Sequence, residues 1–242
     1  MPIKKNIKQR DPSAIRKMFD GIAPTYDLLN RLISFGLDSK WRKRAVNFFR
    51  EKYNGNFLDI AAGSGDVSIE LSRLQPDSII ATDFSMNMLL ECKKKINRHD
   101  KNNIIHCATV DALKLPFRSE IFDGTIVAFG IRNFEDRLLS LKEMYRVLRW
   151  NGISVILELT HPRSPIISTL YSFHAKILLP MIGRIISRHD SAYSYLPHSI
   201  ESFPNQNEFL ELMRQAGFTD LKAYPLTFGA ATIFVGKKIT EE

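Results

Sequence analysis

The 242-residue chain predicts an α/β fold: a doubly wound, Rossmann-like sheet of five parallel strands, closed by a C-terminal pair with one antiparallel strand. Two observations carry this. Short, nearly continuous apolar runs alternate with segments of helical spacing, as right-handed βαβ units require. The first of those runs ends in small residues and two glycines, where such a sheet turns into its first helix.

The elements follow in order. Residues 13 to 52 read as helices, with Ser13 as a candidate N-cap before Ile15, Met18 and Phe19. Pro24 favours a helix start near Thr25, and Leu28, Leu29, Leu32 and Ile33 keep helical spacing. Gly36 punctuates, and Asp38 or Ser39 is a candidate cap for the helix carrying Trp41, Ala45, Phe48 and Phe49. Strands are predicted at Asn56 to Ala61, Ser78 to Asp83, Ile104 to Cys107, Phe122 to Ala128 and Ile153 to Leu159. Helices are predicted at Asp66 to Leu74, Met86 to Asn97 and Arg137 to Arg149. Residues 161 to 204 break the rhythm and read as a helical insertion. The tail closes with a helix at Asn207 to Ala216, Gly217 as its cap, and strands at Leu221 to Tyr224 and Ala231 to Gly236. The expected layout is one domain: a helical cap at 1 to 52, a core at 53 to 160, the insertion as a lid at 161 to 204, and the closing elements at 205 to 242.

Composition narrows the class. Hydrophobic residues make up 44% and charged residues 25% of the chain, the mix of a globular protein. Met1 to Arg10 is polar and basic, so no secretory signal is expected, and the apolar stretch from Pro165 to Ser187 is broken by His174, Lys176, Pro180 and Arg184. Cys92 and Cys107 form no ligand pattern, so reduced thiols, a cytoplasmic location and no metal are expected. The net charge of +8 is spread over short clusters. That gives no dense nucleic-acid face, and no nucleic-acid partner is expected.

The segment Leu58-Asp-Ile-Ala-Ala-Gly-Ser-Gly-Asp66 is the informative one. Gly63 and Gly65 allow a ligand to approach the backbone, and the next helix N-terminus offers N–H groups to an anion. A full GxGxxG is absent, since Ser68 follows, and Asp59 inside the strand argues against a plain dinucleotide site. Asp59 is read as holding the turn and meeting a ligand ammonium. Asp83 ends the second strand, where a carboxylate takes ribose hydroxyls, and Asp111-Ala112 follows the third strand, placed for an adenine. Each acid alone also suits a helix cap; the three strand ends together point to a nucleoside-containing cofactor.

The ordered segments Leu58 to Asp66, Ala81-Thr-Asp83, Asp111-Ala112 and Phe122 to Ala128 resemble those of class I methyltransferases. The whole chain resembles the ubiquinone/menaquinone biosynthesis C-methyltransferases. The resemblance runs through Met18-Phe-Asp-Gly-Ile-Ala-Pro-Thr-Tyr-Asp27, Phe129-Gly-Ile-Arg-Asn133, Tyr145-Arg-Val-Leu-Arg149 with Glu158, Tyr171-Ser-Phe-His174, Tyr193-Ser-Tyr-Leu196 and Phe203-Pro-Asn-Gln206. Departures are Trp150-Asn151-Gly152 in place of Pro-Gly-Gly, Thr160 for Ser, Ser64 for Thr, and Ala128 for Ser.

The resemblance implies S-adenosylmethionine as cofactor, S-adenosyl-L-homocysteine as product, and C-methylation of a reduced, prenylated quinone precursor. Demethylmenaquinol is expected over a ubiquinone-pathway benzoquinol. Another small phenol, an RNA, or a non-catalytic scaffold that holds the cofactor are the alternatives. It also implies cofactor contacts at Ser64, Asp83, Asp111 and Ala112; position adds Gly63, Gly65, Asp59 and Tyr26. Arg132 and Asn133 follow the fourth strand, where the methyl is expected. Arg132 is expected to stabilise a phenolate or orient a water, and Asn133 to hold the ring oxygen. Tyr171, His174 and Tyr195 are candidate substrate contacts. A lipid quinol as partner implies transient contact with the inner membrane face; a homodimer is compatible.

Overall fold

A computed structural model describes residues 11–52, 54–160 and 190–239, with the main chain alone for 190–194. The strands are β1 (Asn56–Ile60), β2 (Ser78–Asp83), β3 (Ile105–Thr109), β4 (Phe122–Ala128), β5 (Leu148–Leu159), β6 (Thr219–Leu226) and β7 (Ala231–Lys237). They form one sheet in the order β3-β2-β1-β4-β5-β7-β6. The first five are parallel, and β7 runs antiparallel to both neighbours, as the sequence predicts. Strand order reverses between β1 and β4, which places a crevice beyond their carboxyl ends.

The helices are α1 (Pro12–Ile22), α2 (Tyr26–Ser34), α3 (Leu37–Val46), α4 (Asp66–Leu71), α5 (Met86–Arg98), α6 (Arg137–Val147), α7 (Asp190–Glu201) and α8 (Gln206–Gln215). They cover both faces of the sheet, and the strands alternate side chains between two cores. Phe57, Ile126, Val155 and Ile233 face α3, α4 and α5, packing on Trp41, Phe49, Leu71 and Ile96. Leu58, Val127, Ile156 and Phe234 face α6 and α8, packing on Leu141, Met144, Phe209 and Met213.

Local chemistry adjusts several predicted ends. Asp11, not Ser13, caps α1: its carboxylate accepts the Ser13 N–H at 2.9 Å, and Pro12 fills the first turn. Gly36, at φ 75°, is the cap of α3. Asp38 lies buried inside that helix and pairs with Arg42 at 2.5 Å. β5 begins at Leu148, directly after α6, because Leu148 pairs with Phe122 before a register shift at Gly124. Pro225 is accommodated because β6 is an edge strand. Of the insertion expected as a lid at 161–204, α7 is helical as predicted; residues 161–189, with Tyr171 and His174, lie outside the described residues. No described helix is long and apolar enough to cross a membrane, and the described residues hold no metal-binding cluster.

Gly124 is required by packing. A Cβ there would fall 2.6 Å from Phe49 Cε1 and 2.8 Å from Phe57 Cδ1, two rings already packed edge to face. Gly124→Ala is expected to cost about 1–3 kcal/mol through overpacking, read as a lower urea midpoint at unchanged m-value.

Candidate active site

A cleft of about 920 Å³, measured out to its open mouth, sits at the strand-order reversal. Its floor comes from the ends of four parallel strands: Ile60, Ala61 and Gly63 after β1, Asp83 after β2, Val110 and Asp111 after β3, and Phe129 and Gly130 after β4. α1 supplies an apolar wall through Ile15 and Phe19.

Of the residues singled out in the sequence, Tyr26, Gly63, Asp83, Asp111, Ala112 and Asn133 line the cleft. Asp59, Ser64, Gly65 and Arg132 are not on its wall but directly behind it. Asp83 accepts the Gly63 N–H and the Ser85 N–H, each at 2.8 Å, so its carboxylate is braced between two loops with lone pairs left over. Burial raises its pKa, opposed by those main-chain donors. The cap of α5 is Ser85, not Asp83, which frees Asp83 from the capping role that its position also suited. Asp111 is exposed and accepts the Leu113 N–H at 2.9 Å, which shapes the loop around Ala112.

Asp59 is buried under the β1 turn. Its Oδ2 accepts the Ser68 hydroxyl at 2.6 Å, while Oδ1 has no hydrogen-bond partner. Burial pushes its carboxyl up to about 7, against the Ser68 hydrogen bond. Such an orphaned acceptor is the signature of a carboxyl that awaits a donor. Ser64 is committed elsewhere: its hydroxyl donates to Asp27 of α2 and receives Lys95 Nζ at 3.2 Å. Lys95 also bridges Asp27 at 2.7 Å and pairs with Asp66. Asp20 of α1 accepts the Ser85 hydroxyl at 2.5 Å. The N-terminal helices are thus pinned onto the loops after β1 and β2. These acids stand within the Met18–Asp27 motif, but nothing in their spacing gave the partners.

A buried ion pair backs the cleft wall formed by Phe129, Gly130 and Asn133. Glu158, at the end of β5, accepts the Arg132 main-chain N–H at 3.1 Å and its guanidinium at 2.8 Å. Arg132 also donates to the Phe129 carbonyl and to Ser199 Oγ. Burial alone would pull its pKa down; Glu158 overrides this and holds it up. The Arg132–Asn133 segment is a 3-10 turn, and the helix after it is capped by Asp136, so Asn133 is not a cap. Tyr195 does not line the cleft; its hydroxyl donates to Asn133 Oδ1 at 3.0 Å. Ala61 and Phe129, which end β1 and β4 at φ 53° and 60°, gave no signal in the sequence.

A sheet of this order with acids at the ends of β1, β2 and β3 defines a class I methyltransferase fold. It matches an S-adenosylmethionine-dependent methyltransferase structure from Aquifex aeolicus, with 17% identity, 95% of this chain and 99% of that one covered, and a TM-score of 0.61. The chain belongs to the ubiE/COQ5 methyltransferase family, whose model matches residues 4–238. It is 45% identical over 226 residues to the ubiquinone/menaquinone biosynthesis C-methyltransferase UbiE of Geotalea uraniireducens, covering 93% of this chain and 96% of that one. It is 39% identical over 225 residues to a demethylmenaquinone methyltransferase of Bacteroides fragilis, covering 93% and 92%.

Asp59 makes stability depend on pH. The unfolded chain releases this proton near pH 4, whereas the folded chain keeps it to about 7. The native state therefore binds more protons between pH 4 and 7, and stability falls as pH rises through that window. The neutral Asp59→Asn variant should match wild type near pH 4 and gain on it steadily up to pH 7. A difference of at most about 4 kcal/mol follows from the shift, readable as a rising Tm difference in ligand-free protein.

Proposed function

We propose that this chain is an S-adenosylmethionine-dependent C-methyltransferase that acts on the ring of a reduced, prenylated quinone precursor. Demethylmenaquinol is the proposed substrate; menaquinol and S-adenosyl-L-homocysteine are the products. The observation that carries this reading is the near full-length similarity to quinone-biosynthesis C-methyltransferases, joined to a cleft whose strand-end acids suit a nucleoside cofactor.

The residues fit that cofactor. Asp83 accepts the ribose hydroxyls, and the Asp111–Ala112 loop takes the adenine. Asp59, with its orphaned Oδ1, receives the ammonium group, and Gly63 and Gly65 keep the loop close to it. Tyr26 closes the site from the side of α2, with Ser64 buried behind the wall and bound to Asp27. The bound cofactor supplies an electrophilic methyl group on a sulfonium. The protein's part is to hold the acceptor ring in line and to keep water out with Ile15, Phe19 and Phe129.

The ring carbon becomes nucleophilic when the adjacent quinol hydroxyl gives up its proton. Asn133, on the cleft wall, holds that oxygen by hydrogen bonding. Arg132 acts from behind the wall; as a permanently charged, ion-paired guanidinium it is no base. With the cofactor bound, its methyl would pass to that carbon; the ring carbon would then give up its proton and the quinol oxygen regain one, so that one proton is released in net.

The test is transfer of a labelled methyl group to reduced demethylmenaquinone, beside the reduced ubiquinone precursor and bulk RNA. Label in the first is the expected result; label in RNA, or in nothing, overturns the assignment. Asp83→Ala should weaken cofactor binding by about 100-fold, from the loss of charge-assisted hydrogen bonds, measured by calorimetry.

The lipid substrate implies a cytoplasmic enzyme that touches the inner membrane face. The exposed α3 cations Lys40, Lys43 and Arg44 and Phe228, 78% exposed, support this. Co-flotation with phosphatidylglycerol vesicles at low salt is expected and should be lost at high salt; no co-flotation at low salt overturns it.

A further inference from the structure

The helix α7 crosses behind the 131–133 turn and reaches it with two residues one turn apart. Ser199 Oγ accepts Arg132 Nε at 3.3 Å, and Tyr195 Oη donates to Asn133 Oδ1 at 3.0 Å. The main chain of the turn is fixed independently. Glu158 accepts the Arg132 N–H, and the Asn133 N–H donates to the Gly130 carbonyl at 2.9 Å. What remains to be set is the Asn133 side chain, which lines the cleft while Tyr195 stands behind it.

A carboxamide has an acceptor end and a donor end, and the two have opposite effects on a developing anion. With Oδ1 engaged by the Tyr195 hydroxyl, the NH2 group is the end left for the cleft; among the described residues this amide makes no other side-chain hydrogen bond. Were the amide turned over, its carbonyl would face the quinol oxygen and repel the phenolate. We propose that Tyr195 is a positioning residue: its hydroxyl locks the Asn133 amide with its NH2 toward the cleft, so that Asn133 serves as a hydrogen-bond donor to the ring oxygen as it becomes anionic. This rests on the quinol reading above and adds to it a residue that acts without touching substrate.

The experiment compares wild type, Tyr195→Phe, Asn133→Ala and the double variant, using detergent-solubilised demethylmenaquinol at saturating S-adenosylmethionine. Asn133→Ala should lower kcat about 100-fold, as loss of one oxyanion donor does. Tyr195→Phe should lower it about tenfold, with KM and cofactor Kd unchanged. The double variant should be no slower than Asn133→Ala, because the proposed contribution of Tyr195 to the rate runs through that amide. In Tyr195→Phe the rising limb of kcat against pH should move to higher pH, since a weakened donor leaves the quinol less acidic.

A Tyr195→Phe enzyme with wild-type kcat, multiplicative losses in the double variant, or an unmoved pH limb overturns the proposal. Asn133→Asp keeps an oxygen for Tyr195 and removes the NH2, and should be as slow as Asn133→Ala; retained activity overturns the proposal as well. If wild type itself transfers no methyl to the quinol, the functional reading has failed separately. The orientation is then read from the Asn133 side-chain amide in 15N NMR. A changed chemical shift and increased mobility of this NH2 in Tyr195→Phe supports the lock, and identical signals in both proteins refute it.

Discussion

The cleft depends on how closely two strand-end turns approach. β1 and β4 are adjacent parallel strands, and each ends in a residue of positive φ, Ala61 and Phe129. A Cβ on Gly130 would lie 2.7 Å from Ala61 Cβ, so the turns meet only because position 130 carries no side chain. A buried phenylalanine in the left-handed region is costly and persists where its surroundings overdetermine it. Here Phe129 is held by the Leu157 carbonyl on its N–H, by Arg132 on its carbonyl, and by Trp41 and Arg42 against its ring. Ala61 and Phe129 thus place backbone strain at the cleft floor, where sheet order reverses.

Around that floor, charge is arranged in two different ways. Toward α2 the groups are partly hydrated and form a branched network from Arg42 and Asp66 through Lys95 to Asp27 and Ser64. The network sets register: it fixes the N-terminal helices over the loops after β1 and β2. Toward α7 the Arg132–Glu158 pair is fully buried. Breaking it would leave an uncompensated charge at a cost of about 3–5 kcal/mol. This pair ties β5, the turn after β4 and α7 into one unit.

These two settings explain the division of labour among the site residues. Side chains that line the cleft, such as Asp83, Asp111 and Asn133, are held by one or two hydrogen bonds and keep capacity for a ligand. Side chains behind it, such as Ser64 and Arg132, have spent theirs on the protein. Asp59 is the exception, a buried carboxyl with one oxygen unused. That makes it the clearest sign of a missing polar group in the molecule.

Much of this was already legible in the chain. Apolar runs gave all seven strands, most cleanly where a strand is buried on both faces, as in β1, β4 and β7. The glycine turn and the acids at three strand ends gave the place of the cleft, because a parallel sheet puts successive strand ends on one edge. What only the tertiary structure decided is which functional groups face the cleft. Asp27 meets Ser64 from 37 residues away, Glu158 meets Arg132 across 26, and Tyr195 meets Asn133 across 62. Contacts of that range leave no local pattern, since each depends on where a whole helix or strand packs. The sequence therefore names Arg132 and Asn133 side by side as equals, and only packing sends one behind the wall and leaves the other on it.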